Sequence, residues 1–500
     1  MAPESGRYRF PPLERRGLIA GITGTQLVVA ATGATLALVV GRVVPSPAGP
    51  FLAVSTVAAT GAATCWNLAG RTPGGWLPLV VAWLRRRLGQ PILADVPLVG
   101  TTTAGPSRAA PPPALLGVGI WAAPEVPGSP PMGVVHDIKS GTVAALVAVR
   151  GRSFSLLDPT EKQRRLDAWG AVLAGLCRDG SPIHRIQWLE RAMPGDVDGL
   201  RRYLDDAGRP SATPEGRRAR DSYADLIGAA GPVGQSHSTL LVVAVHLRRA
   251  ARAARGLGRG RAAACAVLRR ELRLLHGQLR NADLVVDRVL SPDEVTAAFQ
   301  IAVDPGVSPG TAPNDHRGGG LLPAERPPAG NAWPLASHEA WAQWRADGSW
   351  HITYWIADWP RIEVGPDFLS PLLLAATGYR AVSVVMAPVP PARAAREVEA
   401  ARTADMADEQ LRRKAGFLTT ARRQREAEGV IRREAELADG HAEYRFSGYV
   451  TVSAATEAEL DVVRAEVEQA ARQSNLELRR LYGQQAEAFT WTLPLGRGLR

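Results

Sequence analysis

The chain has 500 residues, 46% of them hydrophobic, enough for a membrane-inserted hairpin and two or three further domains. Its net charge is +11, yet lysine occurs only at Lys139, Lys162 and Lys414, and an arginine bias of this kind points to a GC-rich coding genome more plainly than to a nucleic-acid surface. Three widely spaced cysteines, Cys65, Cys177 and Cys265, exclude a disulfide framework and a CxxC metal site.

The chain opens on a basic leader with Arg7, Arg9, Arg15 and Arg16. Leu18 to Val40 then runs 23 residues without a charge, and at about 1.5 Å per helical residue that is enough to cross a hydrocarbon core of roughly 30 Å. A second uncharged run of 18 residues, Phe51 to Leu68, follows Gly41 to Pro50, whose prolines and glycines turn the chain. The pattern predicts a transmembrane helical hairpin. The run is too long for a signal peptide and lacks a cleavage pattern. A core hairpin of a soluble protein is the stronger rival, because both runs are rich in Ala, Thr and Gly. Arginines outside both runs and only Arg42 between them place both termini in the cytoplasm, for a two-pass protein of the inner membrane.

Gly17, Gly21, Gly33, Ala37 and Gly41 form a small-residue stripe that lets another backbone approach, either the second helix or a neighbouring membrane subunit. Gly75 to Leu88 reads as an interfacial amphipathic helix. Trp76 and Trp83 are placed at the membrane interface, and Arg85, Arg86 and Arg87 meet anionic lipid. Residues 1–90 are thus the membrane unit, and 91–113 a Pro-rich linker.

Residues 114–303 alternate between strand and helix. Thr142 to Val149, Ile183 to Leu189, Thr239 to Leu247 and Leu284 to Leu290 read as strands, and Ser153 to Leu157 as another. Asp158 with Glu161 opens a helix to Cys177, and Ser291 with Pro292 opens a later one. Residues 304–332 form a Pro/Gly-rich linker, and 333–500 a second unit. It begins with a short helix carrying Trp341 and Trp344. A charged helical hairpin over 392–438 stands between the strands Arg380 to Pro388 and His441 to Ser453, and Glu487 to Leu493 closes the unit as a strand. The fold class is therefore α+β: a transmembrane hairpin followed by cytoplasmic α/β sandwiches of the split βαβ, ferredoxin-like kind.

No catalytic constellation emerges. None of the three lysines follows the glycines of a phosphate loop, and the nine histidines form no close ligand pair. No cofactor or metal is expected, and the chain reads as non-enzymatic. Arg248, Arg249, Arg252 and Arg255 belong to a basic run that is either a solvated loop and helix start or a contact for DNA phosphate or anionic lipid.

The leader, two-helix hairpin and amphipathic segment resemble the PrgI-type small inner-membrane subunit of type IV secretion systems. The order Val382 to Met386, 392–438 and Tyr444 to Ser453, closing on Phe489 to Leu495, resembles the amino-terminal, non-catalytic region of the TraC and TrbE conjugation ATPases. The resemblance covers most of the chain but rests on order and pattern, with no sharp motif. It implies an actinobacterial, oligomeric structural subunit of a type IV secretion or conjugation complex. Such a subunit would dock a separate ATPase and other membrane subunits; the alternative is a membrane-tethered DNA-binding module.

Overall fold

The computed structural model describes residues 10, 24–43, 48–65, 71–89, 111–151, 154–194, 201, 204–205, 213–230, 234–254, 260–306, 332–374, 378–414 and 421–499. Three helices come first: α1 (Gly24–Val43), α2 (Ala48–Cys65) and α3 (Pro73–Gly89). Strands β1 (Val118–Ala122), β2 (Gly133–Asp137), β3 (Thr142–Arg150), β4 (Ile183–Pro194), β5 (Gln235–His246) and β6 (Val285–Val289) follow. Among them lie α4 (Pro159–Leu176), α5 (Pro214–Ala230), α6 (Leu247–Ala253), α7 (Gly260–Asn281) and α8 (Pro292–Val303).

The later residues form β7 (Ser337–Glu339), β8 (Trp344–Ala346), β9 (Ser349–Asp358), α9 (Ser370–Leu374), β10 (Tyr379–Pro388), α10 (Pro391–Lys414) and α11 (Ala421–Ala438). The last elements are β11 (Tyr444–Ala454), α12 (Glu457–Gln473), β12 (Glu477–Arg480) and α13 (Gln485–Phe489).

Local chemistry sets several of these boundaries. The Asp158 carboxylate caps α4 by accepting from the Thr160 and Glu161 amides at 2.9 and 3.0 Å, with Pro159 as the first helical residue. Ser291 with Glu294, and Thr456 with Glu459, close reciprocal capping boxes on α8 and α12. The cores of β3 and β5 are apolar without alternation because both of their faces are covered.

All strand pairings are antiparallel within one sheet. Its path runs β1-β2-β3-β5-β4-β10-β11-β9-β8-β7, with β6 beside β3 and β12 beside β9. Read outward from the β4–β10 seam, the two halves share one order: β4-β5-β3-β6 on one side and β10-β11-β9-β12 on the other. The expected pair of α/β sandwiches is therefore replaced by one continuous sheet. The physical reason is the seam, where Arg380 to Met386 of β10 pair in unbroken register with Ala192 to Ile186 of β4. Left separate, two buried edges would leave their amides and carbonyls unpaired.

One face of the sheet carries α4, α6 and α7 over the first half and α9 and α12 over the second. The other is covered by α8 and by residues 485–495, where Phe489, Leu493 and Leu495 join Leu146, Leu189, Val242 and Phe299 in one core.

The amino-terminal transmembrane hairpin, and with it the two-pass topology, is not supported. Among the described residues no helix is long and apolar enough to cross a membrane. Of the predicted first run, the part inside α1 is Gly24 to Val40, about 25 Å of helix against a core of roughly 30 Å, and the helix continues through charged Arg42. The 18 residues of α2 are dominated by Ala, Thr and Gly and reach only about 27 Å. The start of that run, residues 18–23, lies outside the described residues.

Two further expectations are corrected. Trp341 and Trp344 sit in the β7–β8 connection and at the start of β8 rather than on a helix. Glu487 to Leu493 forms the end of α13 and a turn rather than a closing strand, because its backbone bonds locally, Thr490 to Glu487 and Trp491 to Ala488.

Candidate interaction site

The chemistry that joins the separate parts of the chain gathers where α3 meets the outer strands. At Trp76, Leu79, Val80, Trp83 and Arg86, α3 turns a part-buried face inward with the spacing of one helix side. Its two indoles meet an aromatic seat. Trp76 lies 6.0 Å from the Trp341 ring and 6.2 Å from Tyr482, and Trp83 meets Trp341 edge-on at 5.2 Å. Arg86 donates to the Gly483 carbonyl and stands 3.6 Å from the Glu339 carboxylate. Burial pushes the Glu339 carboxyl above the usual range, and Arg86 and the Ala486 amide pull it back.

Gly483 is required by this seat. Its φ is +69°, and a Cβ there would come within 2.6 Å of the Trp341 ring. Trp341→Ala removes the ring that both α3 indoles touch, and each such pair contributes about 0.5–1.5 kcal/mol beyond burial. Amide exchange across Pro73–Gly89 is expected to speed about tenfold or more, with β3 and β5 unchanged. Equal exchange in the variant would show that the ring does not hold the helix.

The expected site residues fall into three groups. Gly33 and Ala37 are buried between α1 and α2, and a Cβ on Gly33 would strike Thr60 at 2.4 Å; Gly41 lies further along, 3.7 Å from Ala53 by the same measure. Gly17 and Gly21 lie outside the described residues. Outward from this pair Leu38, Val43, Phe51 and Val54 are exposed. Trp76, Trp83 and Arg86 point into the protein seat, whereas Arg85 and Arg87 are exposed alongside Leu77, Val81, Leu84 and Leu88.

In the basic run, Arg248 and Arg252 are exposed on α6, Arg249 donates to the Ile183 carbonyl at 3.4 Å, and Arg255 lies outside the described residues. Arg261 does not extend that patch, since its guanidinium covers the Trp121 ring at 5.5 Å. The structure does not bring these three groups together.

Beside the α3 seat is a cavity of about 570 Å³, lined by Arg86, Asp137, Lys139, Arg185, Glu339 and Arg497 among others. Here residues 489–499 cross the sheet and are fastened. Arg497 makes a two-pronged pair with Asp137, Nη2 to Oδ1 at 2.7 Å and Nε to Oδ2 at 2.8 Å, and also donates to the Ala114 carbonyl. Arg185 donates to the Gly496 and Leu499 carbonyls. Beneath them Gln187, with no exposed surface, donates to the Trp491 and Leu493 carbonyls and to Ser383 Oγ, and accepts from the Gly496 amide.

At the opposite end of β9, Phe10 of the leader packs among Trp359, Phe368 and Phe446, with ring centres 5.2, 5.4 and 6.3 Å away. None of Phe10, Asp137, Gln187, Glu339, Tyr482 or Arg497 stands out in the sequence. Their partners are hundreds of positions away, and only the cluster Trp341, Trp344 and Trp350 offered a local sign of an aromatic seat.

Residues 234–356 match a secretion-system family. The matching model is described as a candidate type VII ESX secretion system translocon, EccE. No curated protein matches the chain. The similarity covers about a quarter of the chain and links it to a secretion system, of type VII rather than the type IV conjugative kind that the resemblance implied. Neither an ATPase partner nor DNA is part of that description. The matched residues run from β5 through α6, α7, β6 and α8 to β9, and so include Glu339 and Trp341 of the α3 seat.

Proposed function

We propose that the chain is a non-enzymatic structural component of a type VII, ESX-like secretion machine at the membrane. The observation that carries this reading is the match over residues 234–356, which supplies the central strand β5 and the outer strands on which α3 is seated. In this reading the sheet is a platform, built from the 114–303 and 333–500 units, that holds α1, α2 and α3 at a fixed place. The exposed apolar side chains of those helices, with Arg85 and Arg87, face other subunits of the complex. An antiparallel sheet with a merged seam suits that task, because it resists relative motion of its halves.

The test is affinity purification of the full chain from its own membranes in mild detergent, with native electrophoresis of the product. Type VII membrane subunits at fixed ratio to the chain, and loss of that ratio when Trp76 and Trp83 are both changed to Ala, are the expected results. Recovery of conjugation ATPases in their place, or nucleotide hydrolysis by the purified chain, would overturn the proposal. A DNA-binding role has weaker support, since Arg249 is bonded to a main-chain carbonyl and Arg261 to an indole face.

A further inference from the structure

Arg191 of β4 has only 1% of its surface exposed, and it stands directly opposite Ala381 of β10 at the seam between the two halves of the sheet. Strand alternation puts it on the face of Leu189 and Met193, which α8 and residues 485–495 cover. Further along β10 on that face is Tyr379, 4% exposed and part of the same core. Diagonal neighbours of this kind lie about 7–8 Å apart, within reach of long side chains. Arg191 and Tyr379 are close enough for each to act on the charge of the other.

The donors of this pair are not matched by acceptors. Arg191 Nε, Arg191 Nη2 and the Tyr379 hydroxyl are buried, and among the described residues none of them has a hydrogen-bond partner. Nε and Nη2 share one edge of the guanidinium, the edge whose parallel N–H groups grip an anion. Burial pushes the Tyr379 hydroxyl above its usual range, so the phenol keeps its proton and supplies a third donor. Leu189, Met193 and Ala381 beside them are apolar, and among the described residues no carboxylate is paired with Arg191. Arg380, buried on the opposite face, differs: it donates to the Leu373 carbonyl, and the Glu190 carboxylate opposes its charge. An enclosed cation without a countercharge is costly, and buried donors without acceptors add to that cost. Unmet buried groups of this kind call for a bound ion or water.

We infer that Arg191 and Tyr379 hold a small inorganic anion of about chloride size between the two halves of the sheet. Their near-complete enclosure suits no larger ligand. Because Arg191 belongs to β4 and Tyr379 to β10, the anion fastens the seam in addition to the backbone ladder. This inference does not depend on the secretion reading.

The test unfolds the full chain in mild detergent with urea across a chloride series, with gluconate holding the ionic strength constant. Above the dissociation constant, each tenfold rise in chloride should raise the folding equilibrium constant about tenfold. The NMR line of free chloride should also broaden when the protein is added. Arg191→Met should abolish both effects, and without chloride it should fold at least as well as the parent, because no buried charge remains. Tyr379→Phe removes one donor and should weaken chloride affinity about tenfold or more. Arg402→Gln, which removes an exposed guanidinium paired with Glu434, should leave the chloride response unchanged. Indifference of the parent to chloride would show that water alone meets these donors and would overturn the inference. So would a full chloride response in folded Arg191→Met, or unchanged chloride affinity in Tyr379→Phe.

Discussion

Asp137→Asn should release residues 489–499 from the sheet without disturbing β3 or β5. Asp137 and Arg497 are 3% and 11% exposed at their side chains, so the substitution leaves a guanidinium enclosed without its countercharge. Breaking a buried pair from one side costs about 3–5 kcal/mol. Amide exchange of Phe489 to Gly496 should speed by about a hundredfold or more, as a loss of about 3 kcal/mol implies. The double change Asp137→Leu with Arg497→Met should recover part of the loss, because no orphaned charge remains. Unchanged exchange in Asp137→Asn would show that the pair does not fasten the segment.

The same pair has a defined pH dependence. Burial alone would push the Asp137 carboxyl up, but hydrogen bonds from Arg497, Ser140 and the Lys139 amide hold it below the usual range. A depressed carboxyl contributes stability above its unfolded value of about 3.9, lost as the pH falls through the lower folded value. Protection of residues 489–499 should therefore be flat from pH 7 to about 5 and fall only below about 4. A fall centred near pH 6 would point to a histidine instead.

Gln187→Leu should be the more damaging change to the sheet itself. The amide sits on β4 next to the seam, and its Nε2 is 2.8 Å from Ser383 Oγ of β10 and 2.9 Å from the Leu493 carbonyl. Leucine fills similar space but leaves the Gly496 amide without its partner, while the Leu493 carbonyl keeps the bond from the Leu495 amide at 2.7 Å. The Trp491 carbonyl keeps a bond from Ser383. A buried group left unsatisfied costs about 1–3 kcal/mol, so a loss of that size, about 1–3 kcal/mol, is expected in denaturant unfolding. A loss below about 1 kcal/mol would mean that the neighbouring chain readjusts around the gap.

Much of the local structure was legible in the residues. Asp158, Pro159 and Glu161 announce α4, Ser291 and Pro292 announce α8, and the charged stretch after Pro391 announces α10 and α11, because caps and charge periodicity act within a turn or two. The matching of β4 with β10 was not legible, since nothing near Ile186 states that Met386 will lie opposite it. Phe489 to Leu495 misled for the same reason. Its apolar run suits a strand, but Gln187, Ser383 and Thr451 on the sheet offer bonds to its carbonyls and to the Thr492 hydroxyl, and these fix a turn in place of a ladder.

The apolar runs near the amino terminus show the division between sequence and tertiary structure most clearly. Composition determined that α1 and α2 would be helical, apolar and closely packed through small residues such as Gly33, because helix formation and small-residue contact depend on neighbours three or four positions away. It also determined that the chain would be rich in arginine and that the α10–α11 end would be basic. Only the tertiary structure decided where the helices stop, that Trp76, Trp83 and Arg86 would face Trp341, Tyr482 and Glu339, and that the twelve strands among the described residues would share one sheet. Those outcomes depend on pairings across hundreds of residues, where hydrogen-bond satisfaction and packing over the whole molecule outweigh any local preference.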